Sequence, residues 1–105
     1  MRMWKPLFAA AVLTLLSGAG AAAATTIEIT IDKMAFAPVE IDAKVGDTVR
    51  WINKDTFVHT ATVTGAWEVM LPQNKSGSMV MKTSGSVEYY CRFHPNMKGR
   101  IRVSP

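Results

Sequence analysis

Three side chains that bind soft and borderline metal ions stand at steps of three near the C-terminus. They are Cys91, His94 and Met97, in the run Cys91-Arg92-Phe93-His94-Pro95-Asn96-Met97. A thiolate, an imidazole and a thioether are offered together, and the only other histidine, His59, can add a second imidazole. On an ideal helix about 120° would separate Cys91 from Met97 in projection, too wide for convergence. Pro95 and Gly99 favour a tight turning loop, which would wrap all three around one point.

A lone cysteine is most often a small buried hydrophobe, and either histidine or Met97 alone would be unremarkable. Their grouping is what points to a metal. Two imidazoles and a thiolate in a trigonal plane, with a weak axial thioether, suit both oxidation states of copper. Zinc sites use cysteine, histidine and carboxylates and rarely methionine. The expected metal ligands are therefore His59, Cys91, His94 and Met97, holding one copper per chain. Catalysis is not expected. Reduction of oxygen or nitrite needs a further open metal position with several histidines, and both histidines are already assigned. Asp55, close to His59, reads as an ordinary loop residue, so no catalytic residues are named.

The elements that must position these ligands are short and β-like. Ile27, Ile29 and Ile31 alternate with Thr26, Glu28 and Thr30, the period of a half-buried strand. Further runs cover 39–43, 48–53, 60–63, 78–82, 87–91 and 100–103, while 65–77 shows no clear period and reads as a loop or a single helical turn. About seven short strands with frequent turns predict an all-β sandwich or barrel. His59 opens the strand 60–63, and if that strand lies near 87–91, His59 is expected to reach the site from across the sandwich.

Ahead of this domain, Arg2 and Lys5 precede an apolar run from Leu7 to Leu16 and a small-residue stretch ending at Ala24. This is the pattern of a cleaved export signal, so residues 1–24 are expected to be removed and 25–105 to form one domain. No stable membrane association is expected after cleavage. The mature part is too short for a large core. With one cysteine it has no internal disulfide, so a bound metal is the natural reinforcement. Its charge balance, ten Lys/Arg against eight Asp/Glu once Arg2 and Lys5 are set aside, is too mild for nucleic-acid binding. Arg92, Lys98, Arg100 and Arg102 gather late in the chain. They read either as a solvated strand face or as a rim that steers an acidic partner.

These residues resemble the cupredoxin family of small blue copper proteins. The likeness runs through Ile31-Asp32-Lys33-Met34, Val45 to Asn53, His59, Tyr89-Tyr90-Cys91, His94-Pro95 and Met97. Two residues between His94 and Met97 resemble its short-loop amicyanin branch. The resemblance implies a Greek-key β-sandwich with copper at one end and the His94 ring edge as the electron port. It also implies periplasmic one-electron transfer, here between a redox donor and an acceptor, and the chain is expected to be a monomer. Copper storage or delivery is the alternative. Two positions depart from the branch. Thr60 replaces the asparagine that ties the two ligand loops, and is expected to fall short of that reach. Phe93 replaces a proline, and its added N–H is expected to donate to the Cys91 sulfur and raise the reduction potential.

Overall fold

The structure is a computed structural model that describes residues 23–105; the expected export signal lies almost wholly outside them. Nine strands and no helix make up the described chain: β1 (Thr26–Asp32), β2 (Ala35–Ala37), β3 (Glu40–Lys44), β4 (Thr48–Asn53), β5 (His59–Val63), β6 (Trp67–Leu71), β7 (Ser76–Val80), β8 (Gly85–Tyr90) and β9 (Lys98–Ser104). They form two sheets, ordered β2-β1-β4-β7 and β3-β9-β8-β5-β6. The all-β Greek-key sandwich is as expected.

Two strands were not anticipated. β2 is three residues long, too short to show a period. β6 occupies the stretch read as a loop, and its alternation is real: Trp67, Val69 and Leu71 face inward, Glu68 and Met70 outward. Met70 hides the period because an apolar residue stands where a polar one would mark the solvent side.

Alternation builds the core between the sheets. Ile29 and Ile31 of β1, Val49 and Trp51 of β4, Tyr89 of β8 and Ile101 of β9 are fully buried. Trp51 meets Tyr89 edge-on at 5.6 Å between ring centroids, and Phe36 meets Tyr89 edge-on at 4.8 Å. Such pairs add about 0.5–1.5 kcal/mol each beyond the area they bury. Tyr89 lies opposite Gly99 in the β8–β9 ladder. A Cβ on Gly99 would come within 2.5 Å of the phenol carbon and oxygen, so the ring's place depends on that glycine. Burial pushes the Tyr89 phenol up to about 12.

Both ends of the sandwich are fastened by an aspartate. At the end away from Cys91, Asp47 accepts backbone N–H bonds from Thr25 and Lys44, both at 2.9 Å. These bonds hold its carboxyl below the usual range. Asp55 does the equivalent at the other end, where the candidate ligands lie.

Candidate metal centre

The loop after β8 explains the spacing of three. His94 N–H donates to the Cys91 carbonyl at 3.2 Å, and Met97 N–H donates to the His94 carbonyl at 2.9 Å. Each is a tight i to i+3 turn, in which residues three apart stack on one side. Cys91 N–H then donates to the Met97 carbonyl at 3.0 Å and closes the loop. Cys91 and Met97 are buried, while His94 is half-exposed.

His59 is fully buried at the head of β5. That strand neighbours β8 in the same sheet, so His59 arrives from the adjacent strand and not from across the sandwich as expected. The reason is pairing: Thr62 registers with Tyr90, which sets His59 beside the start of the 91–97 loop.

Three of the four expected ligands come together. The Cys91 sulfur lies 3.6 Å from His59 Nδ1 and 3.7 Å from His94 Nδ1, and the three ligand atoms fall within 4.8 Å of one another. The imidazole rings meet edge-on at 5.0 Å. For a first-row ion with bonds of about 2.0 Å to nitrogen and 2.3 Å to sulfur, donors about 120° apart would be separated by about 3.7 Å. The sulfur–nitrogen distances thus fit one ion shared in a trigonal plane. Met97 is joined to this group through the backbone bonds of the loop.

Asp55 orients the first histidine. Its carboxylate accepts Lys33 N–H at 2.8 Å, Met34 N–H at 3.0 Å, and His59 Nε2 at 2.9 Å. Burial pushes this carboxyl up, but the bonds from His59, Met34 and Lys33 outweigh it and hold it below the usual range. An ionised carboxylate only accepts, so Nε2 carries the proton and the Nδ1 lone pair faces the Cys91 sulfur. This carboxylate–histidine pairing is how proteins commonly fix a metal-binding imidazole. The reading of Asp55 as an ordinary loop residue is therefore corrected.

Asn53, buried at the end of β4, shapes the segment between. Its side-chain amide donates to the carbonyls of Phe57 at 2.8 Å, Leu71 at 3.0 Å and Pro72 at 3.2 Å, and its oxygen accepts from Asp55 N–H at 2.9 Å. A polar residue ending the apolar alternation of β4 was the available sign of such a role.

Thr60 does reach the second loop: its hydroxyl oxygen accepts from Arg92 N–H at 2.8 Å. The partners of the Cys91 sulfur are the two ring nitrogens. A bond from Phe93 N–H, expected from sequence, is not found among the hydrogen bonds of the described residues. Phe93 instead turns its ring outward beneath the Arg92 guanidinium, 4.7 Å from the ring centre.

Residues 6–103 match the family described as the cupredoxin-like domain. The chain belongs to that family. It is similar to amicyanin of Paracoccus denitrificans, 33% identical over 84 residues, covering 73% of this chain and 64% of that protein. It is also similar to amicyanin-alpha of Methylorubrum extorquens, 32% identical and covering 78% and 75% of the two chains. Among solved structures, amicyanin of Paracoccus versutus superposes with a TM-score of 0.68 at 27% identity, covering 75% and 81%. A reduced amicyanin carrying a proline-to-phenylalanine substitution gives 0.66 at 32%, covering 75% and 82%. The cofactor of this cupredoxin is copper, one per chain, in keeping with a donor set of two imidazoles and a thiol.

Proposed function

We propose that this cupredoxin is an exported one-electron carrier, with its copper held by His59, Cys91, His94 and Met97. One observation carries the reading: a buried thiol faces two imidazole nitrogens at 3.6 and 3.7 Å, and of these three residues only His94 reaches the surface. Bound copper supplies reversible one-electron chemistry. The protein's part is to change little while that happens. Asp55 keeps the His59 proton on Nε2, the closed 91–97 loop fixes Cys91 against His94, and burial of Cys91 and His59 excludes water. Membership of the cupredoxin-like family and similarity to amicyanins support a carrier and not an enzyme.

The surface around His94 suits close approach by a partner. Phe57 packs against the His94 ring at 6.1 Å between centroids, and Phe57 and Phe93 are 56% and 46% exposed. The charged rim differs from the one expected. Arg92, Arg100 and Arg102 are paired with Glu68, with Glu88, and with Glu40 and Asp42 respectively. The cations without a carboxylate partner among the described residues are lysines. Lys33, Lys54, Lys75 and Lys98 lie in the turns or strand ends at this end of the sandwich. They favour a redox partner with an acidic docking surface. Export to the periplasm is supported by the basic, apolar and small-residue pattern of residues 1–24, and the monomeric state is part of the same proposal.

The test is retention. A carrier loaded with copper should keep it against a strong chelator in both oxidation states and cycle reversibly by one electron. Copper lost to the chelator on reduction, or passed rapidly to a metal-free acceptor, would replace this reading with storage or delivery.

A further inference from the structure

β5 is unlike every other strand in having four successive buried residues. His59 and Ala61 face the core, so Thr60 and Thr62 lie on the outer face of the sheet, where solvent is usual. They are 0% and 6% exposed. Both are bonded to members of an ion pair on that face: Arg92 Nε and Nη2 donate to the two oxygens of Glu68 at 2.7 and 3.0 Å. Glu68 stands opposite Thr62 in the β5–β6 ladder.

These groups form a closed ring of hydrogen bonds with only one consistent direction. Arg92 holds the Glu68 carboxyl below the usual range, aided by Thr62, so Glu68 only accepts. Thr62 must therefore donate its one hydroxyl proton to Glu68, at 2.8 Å. In the 2.8 Å contact between the two threonines, Thr60 is then the donor and Thr62 the acceptor. That leaves the Thr60 oxygen to accept from Arg92 N–H. The ring starts and ends on Arg92, the residue after Cys91. It also acts on a peptide unit held from its other side, since the Cys91 carbonyl accepts from His94 N–H. A peptide unit is planar, so pinning its N–H and its C=O fixes the exit of the chain from Cys91 and the start of the turn to His94.

We propose that Glu68 and Thr62 are positioning residues for the copper loop: the Glu68 charge sets the direction of the Thr62–Thr60 relay, and the relay orients the Cys91–Arg92 peptide. Exposed ion pairs alone contribute little; this one matters because it orders buried hydroxyls. In a closed chain each bond polarises the next.

The inference rests on the copper assignment, so the experiment reads the loop with and without metal. In the metal-free protein, Thr62→Val and Glu68→Gln should each speed hydrogen exchange of the Arg92 amide by at least tenfold, with the urea midpoint of unfolding kept close to wild type. Thr62→Ser, which keeps the hydroxyl, should restore slow exchange. In the copper-loaded protein the same two variants should alter the copper hyperfine splitting in electron paramagnetic resonance, and Thr62→Ser should not. Unchanged Arg92 exchange in both variants overturns the proposal. So does faster exchange with an unchanged copper signal, which would make the ring merely structural. A wild-type protein that binds no copper defeats the copper assignment instead, and is recognised because the exchange measurements need no metal.

Discussion

Asp47 and Asp55 are the same device at opposite ends of one sandwich. Each is an ionised aspartate that gathers two backbone N–H groups, Asp47 one from its own turn and one from the start of the chain's first strand, Asp55 both from the β1–β2 turn. Asp47 stops there and fastens the turn before β4 to the start of β1. Asp55 accepts a third bond, from His59 Nε2. That bond turns a clamp into a means of aiming an imidazole lone pair. Function here is one added contact on a structural theme, and the two carboxylates differ in what else lies within reach.

The largest expected effect comes from breaking the third contact. Asp55→Ala should lower copper affinity by about 10–100-fold, the usual cost of losing the partner of a metal-bound histidine, as read by competition with a chelator. Asp47→Ala should weaken folding and leave affinity close to wild type. Equal losses of affinity in the two variants would erase the distinction between the ends.

Just inside the copper end, at the start of β9, Gly99→Ala would force a methyl group against the buried Tyr89 ring. A cost of about 1–3 kcal/mol is expected for such overpacking, measured by urea unfolding of the metal-free domain. A neutral result would mean that the aromatic cluster is looser than its contacts imply.

The sequence carried the site unevenly. Cys91, His94 and Met97 were legible because two consecutive i to i+3 turns bring them together, and a local turn leaves its spacing in the chain. His59 was legible by elimination. Asp55, Glu68 and Thr62 were not, because their partners come from other strands: Asp55 closes on the β1–β2 turn, and Glu68 meets Arg92 across 24 positions. Asn53 was half-visible, as a polar residue at the end of an apolar strand, whereas Thr60 stood out only through the family resemblance. The fold followed the same division. Strands with clean alternation were readable, whereas β6 was obscured by the outward Met70, and strand order, which set the true origin of His59, depends on pairing alone.

Acid should separate the two ends less sharply. Asp47 and Glu68 titrate below their ordinary values in the folded state, so the unfolded chain binds protons first as pH falls. Their contributions to stability are complete above the ordinary carboxylate range, about pH 4, and are lost as pH drops through the depressed folded values. Asp47→Asn should flatten this acid limb of the unfolding midpoint, and an undiminished limb would assign it to other carboxylates.

The smallest effect expected is electrostatic. Raising ionic strength from about 0.01 to 0.1 M shortens the Debye length from about 30 to 10 Å. This should slow reduction by an anionic small-molecule reductant and spare a neutral one. A flat response to both would remove the lysines from the account of partner approach.

The most direct test of the whole account is a titration of the metal-free domain with cupric ion, followed by visible absorption. An intense thiolate-to-copper charge-transfer band that saturates at one equivalent, and is lost in Cys91→Ser, is the predicted result. Copper bound without that band, or a band unchanged in Cys91→Ser, would contradict it.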